Sequence, residues 1–325
     1  MSKILESRTA YKPMAYEWAY EAYKTQNSMH WLPDEITFEE DVKDWNQKLT
    51  KEEKNFLTQI FRFFTQADID VAGGYIDRFM PLFKHPELRM MMASFTNMEA
   101  THIDAYSRLI DTVGMPEVEY SKFLDYKAMK DKHDYILSNS GINTYFDADG
   151  YYDITKIAKS IAIYSAFTEG LQLFSSFAML LNFPREGKMK GMGQIVTWSV
   201  RDESLHVESM IRLFRTIISE NKKIWTDDFK KELYDVCRTM VDLEDKFIDL
   251  AFELGGVQGI TPDEIKKFVR YIADRRLLQL GLKTNYGVKK NPLKWYDEML
   301  NSVEHTNFFE NRVTEYSKGT LVGDW

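Results

Sequence analysis

The amino-acid sequence predicts an all-α protein, and three observations support this prediction. Apolar residues recur at helical spacing over several long stretches, and several of these stretches follow a helix-start signal. No long stretch alternates with the period of two that a half-buried strand shows. The 325 residues include only 16 glycines and 8 prolines, which argues against a multi-strand sandwich, and their 44% hydrophobic content is enough for a large core.

Charge and cysteine content narrow the classes of protein. A net charge of −8 and a pI near 5.4 give no electrostatic reason to expect nucleic acid or an anionic membrane as a partner. The single cysteine, Cys237, excludes an intramolecular disulfide and is itself expected to be a small buried apolar residue. Because no secretory signal opens the chain, and one cysteine fits a reducing cytosol, we expect a cytoplasmic protein.

The first helices are predicted in the N-terminal quarter of the chain. A short helix is expected over residues 15–24, and Pro33 disfavours helix at the residue before it, so Trp31 is expected in or beside an extended or turn segment. Thr50 and Glu53 form a capping box that opens a long helix. The apolar stripe of this helix consists of Leu57, Phe61, Phe64 and Tyr75.

One acidic residue of this helix lies on its apolar stripe. Asp68 follows Phe64 by four residues, which makes its carboxylate a candidate ligand for a cation. Asp70 is the rival candidate. It lies about 160° to 200° around the helix from Asp68 and would otherwise be a solvated residue.

Pro86 begins the next predicted helix, which ends before Gly114. This helix carries Glu99, His102 and Tyr106. Tyr106 follows His102 by four residues, so the two side chains share a face, although a lone tyrosine on a helix is more often part of the core.

A third long helix is expected from near Asp153 to Pro184. Glu169 is the only formally charged residue between Lys159 and Arg185. An ionised carboxylate that is buried without a partner costs several kcal/mol, so Glu169 requires a cation or a proton.

The same stretch reaches the ~20 residues that could cross a bilayer. Its polar content argues against a membrane span, because Gln172, Glu169 and several serines would face lipid or require partners. No second stretch of this kind exists in the sequence. We therefore interpret it as a helix buried at the centre of a bundle.

The remaining helices follow a stretch punctuated by glycines at 185–193. The first of them carries Glu203 and His206, Thr226 opens another, and Thr261 caps one more with proline at its first position. From about Asn301 the periodicity is lost. We therefore predict a helical domain over residues 1–300 and a flexible interaction tail over residues 301–325.

Two of these helices repeat one small pattern, Glu-x-x-His. A spacing of three residues places the carboxylate of Glu99 and the imidazole of His102 on one face of a helix, where both can bind one metal ion. Glu203 and His206 repeat the arrangement. Two such helices, joined by one acidic residue from each of two others, supply the ligand set of ferritin-like di-iron and di-manganese proteins.

Over essentially its whole length the chain resembles a known family, the small (beta, radical-generating) subunit of class I ribonucleotide reductase. The resemblance rests on FFTQAD with Asp68, on the run from Glu99 through His102 to Tyr106, on Glu169, and on Arg-Asp-Glu-x-x-His at residues 201–206. The intervals of 31 residues (99 − 68) and 34 residues (203 − 169) also match those of the family. The approach to the tail, FFENRVTEYSKG, is similar as well.

The resemblance implies roles for particular residues. Asp68, Glu99 and His102 would hold one metal, Glu169, Glu203 and His206 the other, and Glu99 and Glu203 would bridge the two. Tyr106 would be the tyrosine that is oxidised to a stable radical in most members. The relay that carries the oxidising equivalent outward would comprise Trp31, Asp202 and, in the tail, Tyr316.

The resemblance also implies cofactors and partners. The dinuclear centre would hold two iron ions, with two manganese ions or one of each as alternatives used by family subgroups. Ribonucleotide reduction needs thiol donors, and a chain with one cysteine cannot supply a dithiol pair, so a separate large (alpha) subunit is implied together with a homodimer of this chain. Only nine residues follow Tyr316 (325 − 316), a shorter tail than in many members.

Two other classes of function use similar ligands. A ferritin-like oxidase or desaturase would need an open apolar channel for a fatty or hydrocarbon substrate. A metal-storage or purely structural bundle would explain the metal ligands alone. Neither class of function explains Trp31, Asp202 and Tyr316.

Overall fold

The structure is a computed structural model that describes residues 3–139, 145–146 and 151–300. Within these ranges the backbone is helical, and it forms two isolated β-bridges but no strand. The helices are α1 (Glu17–Ser28), α2 (Glu39–Gln47), α3 (Lys51–Gly73), α4 (Pro86–Thr112), α5 (Val118–Ser121), α6 (Lys127–Ser138), α7 (Ile154–Ile161), α8 (Phe174–Arg185), α9 (Lys190–Glu220), α10 (Asp227–Ala251) and α11 (Pro262–Gln279). The all-α prediction is confirmed.

Four long helical segments build the bundle that carries the candidate ligands. α3 packs on α4, α4 packs on α9, and α9 packs along the continuous helix that runs from α7 to α8. Outside this bundle, α1 covers α4, while α10 and α11 pack on each other and on the centre of the α7–α8 helix. This arrangement is the predicted ferritin-like helical bundle.

The helix starts predicted from local signals are confirmed. Thr50 and Thr261 each form a complete capping box, with Glu53 and Glu264 respectively, and the Thr226 side chain accepts a hydrogen bond from the Phe229 N–H. Pro86 occupies the first turn of α4. These signals act within one turn of helix, so the sequence alone specifies them.

The start of α9 differs from the prediction. Only residues 186–189 of the glycine-punctuated stretch separate α8 from α9, because α9 begins at Lys190 and includes Gly191. The N–H of Gly191 donates to Asp41 of α2 at 2.8 Å, and a β-carbon at Gly191 would lie 2.7 Å from the Thr37 carbonyl oxygen. The close approach of α2 therefore requires a glycine at this position. In turn, Asp41 of α2 caps the start of α9 and so helps to position the helix that carries Glu203 and His206.

The centre of the α7–α8 helix is π-helical over Ala162–Leu173. This wider winding leaves carbonyl groups outside the usual ladder, and side chains bind some of them. Thr168 Oγ1 donates to the Ile163 carbonyl at 3.0 Å, and Arg276 Nε of α11 donates to the Gly170 carbonyl at 2.8 Å. π-Helical turns of this kind are frequent at functional sites, and this one contains Glu169.

No helix in the described part of the chain is both long enough and apolar enough to cross a membrane. The stretch around Glu169 is instead buried on all sides. Its place at the centre of the bundle is the one predicted from its polar residues.

A fully buried ion pair joins α6 to α10. Lys132 Nζ lies 2.7 Å from Glu244 Oε2, both side chains have 0% exposure, and the ammonium also lies 3.6 Å from the Phe63 ring centroid. Burial lowers the pKa of Lys132 and raises that of Glu244, because each charge has lost its water. The pair therefore depends on both partners being present.

We expect Lys132→Met to destabilise the metal-free protein by about 3 kcal/mol, because it leaves Glu244 buried and unpaired. Thermal unfolding followed by circular dichroism measures the effect. The double variant Lys132→Met/Glu244→Leu should regain most of the loss, since neither charge remains. Lys127→Met, which removes the exposed ion pair with Asp131 on the same helix, should change little and serves as control. Equal stability of the Lys132 and Lys127 variants would contradict the prediction.

Candidate metal centre

Three helical segments bring four buried ligand-type side chains to one point. Glu99 comes from α4, Glu203 and His206 come from α9, and Glu169 comes from the π-helical segment. One ligand atom of each side chain lies within 4.8 Å of one atom of every other. This spacing is that of groups able to share a metal ion.

The two imidazoles are oriented in the same way. His102 Nδ1 lies 3.5 Å from Glu99 Oε2 and 3.4 Å from Glu203 Oε1. His206 Nδ1 lies 3.0 Å from Glu99 Oε1 and 3.5 Å from Glu203 Oε2. Both rings thus present Nδ1 to the same two carboxylates, which lie between them.

The second ring nitrogen of each histidine, Nε2, makes a polar contact of its own. His102 Nε2 lies 3.3 Å from Asp202 Oδ2, and His206 Nε2 lies 3.0 Å from Gln26 Oε1. Gln26 also donates from Nε2 to Asp202 Oδ1 at 3.1 Å, so one amide of α1 links the supports of both rings. Metal-binding histidines usually have such a partner on their second nitrogen, which fixes the ring orientation.

The donor atoms fit a pair of divalent cations. Several of them are buried and make no hydrogen bond to the described residues: both Glu99 oxygens, Glu169 Oε2, Glu203 Oε2 and His206 Nδ1. Buried polar atoms normally have a partner, so this cluster of unpaired atoms indicates a ligand. With Asp68 the four carboxylates carry four negative charges, which two divalent ions beside neutral imidazoles would balance. Oxygen and imidazole donors suit iron and manganese.

The pKa values of the ligand side chains reflect the close packing of buried ionisable groups at this site. Burial, then the charge of Glu203, raises the pKa of Glu169 well above its usual range. Burial opposes ionisation of Glu99 too, but contacts with His102 and His206 lower its pKa to about 2. Burial would lower the pKa of His206, yet the carboxylates Glu203 and Glu99 raise it to about 10. Without metal, the carboxylates therefore hold protons on the site, and metal binding displaces them.

Asp68 and Asp70 have different surroundings. Asp68 is buried outside the group of four, and burial followed by the charge of Glu99 raises its pKa. Asp70, the rival candidate, lies with its Oδ2 2.7 Å from His133 Nδ1 and accepts a hydrogen bond from Gln66. The structure thus pairs Asp70 with residues away from the metal centre and leaves Asp68 facing the charged cluster.

Tyr106 is buried beside this cluster. Its hydroxyl donates to Ser199 Oγ at 3.3 Å, and its ring stacks on Phe64 with centroids 4.7 Å apart. Burial raises the pKa of Tyr106, so the phenol keeps its proton at neutral pH. A cavity of about 220 Å³, lined mostly by apolar side chains, lies beside this phenol and Asp68.

Trp31 and Asp202 form a polar chain from His102. The indole Nε1 of Trp31 donates to Asp202 Oδ2 at 2.7 Å, the same oxygen that His102 Nε2 approaches. Burial would raise the pKa of Asp202, but the hydrogen bond with His102 keeps it below its usual range. Trp31 lies between α1 and a short 3₁₀ turn, in the irregular segment that Pro33 predicts.

Tyr75 belongs to the site although sequence reasoning placed it in the apolar stripe only. It is buried in a π-helical turn after α3, and its hydroxyl donates to Glu169 Oε1 at 2.7 Å. Its position seven residues after Asp68, two helical turns along the same face, was the available signal. Gln26 had no such signal, because only the packing of α1 on α4 brings it to the histidines.

Tyr316 and the predicted tail lie outside the described residues, as does the boundary between the predicted domain and tail. Their roles stay predictions.

The bundle and its buried carboxylates and imidazoles define a class of protein, the ferritin-like helical bundles with a candidate dinuclear metal site. Residues 8–292 match the family described as ribonucleotide reductase, small chain. The chain therefore belongs to this family of oxidoreductase subunits, as the resemblance indicated.

Relatives and solved structures agree with this assignment. The chain is 47% identical to the probable ribonucleoside-diphosphate reductase small subunit of Invertebrate iridescent virus 3, over 99% of this chain and 88% of the relative. The fold matches a ribonucleotide reductase R2 subunit from Clostridium botulinum with a TM-score of 0.81 and 23% identity, over 90% of both chains.

Two further solved structures share the fold. One is the dimanganese(II) NrdF of Streptococcus sanguinis, with a TM-score of 0.74 and 19% identity over 89% of this chain and 97% of that one. The other is the Rnr4 homodimer of Saccharomyces cerevisiae, with a TM-score of 0.74 and 18% identity over 97% of this chain and 93% of that one.

Proposed function

We propose that the chain is the radical-generating small subunit of a class I ribonucleoside-diphosphate reductase. The observation that carries this proposal is a buried series of contacts that runs from the carboxylate cluster through His102 and Asp202 to Trp31. Tyr106 is buried beside the same cluster. A metal-storage or structural bundle has no use for this chain of contacts.

The proposed ligands are those of the sequence analysis: Asp68, Glu99 and His102 for one metal, and Glu169, Glu203 and His206 for the other. Two bound ions would activate oxygen and supply an oxidising equivalent. We propose two irons, with two manganese ions or a mixed pair as alternatives, since carboxylate and imidazole donors suit both metals.

The protein's own residues position and protect this chemistry. Asp202 and Gln26 fix the two imidazole rings, and Tyr75 orients Glu169 through its hydroxyl. Tyr106 would store the oxidising equivalent. Its phenol is screened from solvent by apolar neighbours, and because it is protonated at rest, loss of its electron is coupled to loss of the hydroxyl proton.

The partners follow from the same proposal. A large subunit would supply the thiols and bind the ribonucleotide, and the oxidising equivalent would reach it through Trp31, Asp202 and Tyr316. We also propose a homodimer, the state named for the yeast structure that shares this fold. A cytoplasmic location agrees with the single, buried cysteine.

The oxidase or desaturase alternative is less well supported. The cavity beside Tyr106 has a volume of about 220 Å³, below the roughly 300–1,000 Å³ typical of ligand pockets. A fatty or hydrocarbon substrate needs more room than this.

Activity measured with the large subunit tests the function. We expect the metal-loaded chain to reduce ribonucleoside diphosphates only when its cognate large subunit is added. Oxidation of a fatty substrate by the chain alone, with no nucleotide reduction in the mixture, would contradict the proposal.

We expect Tyr106→Phe to abolish the tyrosyl radical and nearly all nucleotide reduction while leaving metal content unchanged, since phenylalanine keeps the ring but has no phenolic proton. Electron paramagnetic resonance after loading with Fe(II) and oxygen measures the radical, and metal analysis measures the content. Tyr120→Phe, which changes another tyrosine lining the same cavity, is the matched control. A Tyr106→Phe protein with the parental radical signal would place the stored radical elsewhere.

A further inference from the structure

Trp198 lies between the buried indole of Trp31 and the protein surface. Trp31 is only 3% exposed, whereas Trp198 of α9 is partly exposed. The centroids of their rings are 5.1 Å apart, with a tilt of 48° between the ring planes. The two indoles are therefore in contact, and only the outer one reaches solvent.

Within the described ranges, Trp31 makes ring contacts with two residues, His102 on the side of the metal centre and Trp198. The contacts thus form one line: His102, Asp202, Trp31 and then Trp198. The proposed function gives a role to the first three and passes the oxidising equivalent on to Tyr316, but it assigns no residue between the buried Trp31 and the protein surface.

We propose that Trp198 is a relay residue that carries the oxidising equivalent between Trp31 and the protein surface. This inference rests on the proposed role of Trp31. In the outward step one electron moves from Trp198 to the oxidised Trp31, both indoles keep their N–H protons, and Trp198 becomes the radical cation. Trp198 then regains an electron from a phenol of the docked tail or partner, and that phenol loses its proton to water.

A carboxylate beside Trp31 distinguishes the two indoles. Asp202 accepts the hydrogen bond of Trp31 Nε1, and its negative charge stabilises a positive charge on that indole. Arg201 does not oppose this effect at Trp198, because its guanidinium donates to the Met29 carbonyl and lies 3.7 Å from Asp202 Oδ1. The hydrogen bond to Asp202 therefore favours the positive charge on Trp31 over Trp198, and an electron donor beside Trp198 would draw the oxidising equivalent outward.

Photo-oxidation of the metal-free protein tests this contact without any nucleotide chemistry. The oxidant is a photo-excited ruthenium(II) polypyridyl complex with a sacrificial electron acceptor, and peptide mass spectrometry measures oxidation at each tryptophan. We expect Trp31 to be oxidised in the parent despite its burial. Trp198→Phe should lower that oxidation several-fold, and Trp198→Tyr, which restores an oxidisable ring, should recover much of it.

Trp225→Phe is the matched control. Trp225 is another partly buried tryptophan, and its ring contacts are with Phe214 and Phe229 rather than with Trp31. This variant should leave oxidation of Trp31 at the parental yield. Equal oxidation of Trp31 in the parent and in Trp198→Phe would overturn the relay, as would a parent in which Trp198 is oxidised and Trp31 is not.

Nucleotide reduction with the large subunit provides the second measurement. We expect Trp198→Phe to lower turnover several-fold at parental metal content, and Trp225→Phe to leave it unchanged. Parental turnover in Trp198→Phe would remove Trp198 from the productive route. A parent without any turnover would instead count against the proposed function, and the photo-oxidation result would still decide whether the two indoles exchange electrons.

Discussion

Glu169→Ala is expected to bind about one divalent metal per chain where the parent binds two, and to lose nearly all nucleotide reduction. Glu169 is the only proposed ligand contributed by the π-helical segment, and no neighbouring carboxylate of that segment can replace it. The remaining donors would still hold one ion through Glu99, His102 and Asp68. Metal analysis after loading the metal-free protein with Fe(II) or Mn(II) measures the stoichiometry.

The thermal stability of Glu169→Ala should not fall when no metal is present. Glu169 Oε2 has no hydrogen-bond partner among the described residues, so removing this carboxylate removes a buried oxygen that only a proton or a metal can satisfy, at the cost of the one hydrogen bond that Tyr75 donates to Oε1. We therefore expect metal-free Glu169→Ala to unfold at a temperature no lower than the parent. Added Mn(II) should raise the unfolding temperature of the parent more than that of the variant.

Glu208→Ala is the control for both measurements, because Glu208 lies on α9 with its side chain exposed. It should bind two metals per chain and keep parental turnover. Two metals per chain in Glu169→Ala would show that the ligand assignment is wrong.

The parts of the structure that the sequence predicts depend on short-range rules. A capping box such as Thr50 with Glu53 is complete within one helical turn, and the Glu-x-x-His spacing places two donors on one face whatever surrounds them. The fold class and the two halves of the metal centre follow from these local patterns. Glu169 was identified because a lone charge within an apolar run needs a partner, which is also a property of the local sequence.

The parts that the sequence does not predict depend on contacts between distant residues. The run around Glu169 is apolar on every face, so no periodicity distinguishes a π-helix from an α-helix over Ala162–Leu173. The π-helical winding is supported by Arg276, which donates to the Gly170 carbonyl 106 residues away in the sequence. Gln26 likewise reaches His206 across 180 residues of sequence, and only the tertiary structure shows that pair.

Trp31→Phe is expected to block nucleotide reduction while leaving the two metals in place. Phenylalanine keeps an aromatic ring between His102 and Trp198, but it lacks the N–H that donates to Asp202 at 2.7 Å, and its ring is much harder to oxidise than an indole. Tyr316→Phe should give the same loss of turnover, because the proposed route ends on that phenol.

The distinguishing result is a Trp31→Phe protein with two metals per chain, a parental thermal unfolding temperature and almost no turnover with the large subunit. Trp45→Phe is the control, since Trp45 is another partly buried indole whose ring stacks on Phe61, outside the relay. It should keep parental turnover. If Trp31→Phe reduces ribonucleotides at the parental rate, the oxidising equivalent does not pass through Trp31, and the contacts from His102 through Asp202 serve only to orient the imidazole.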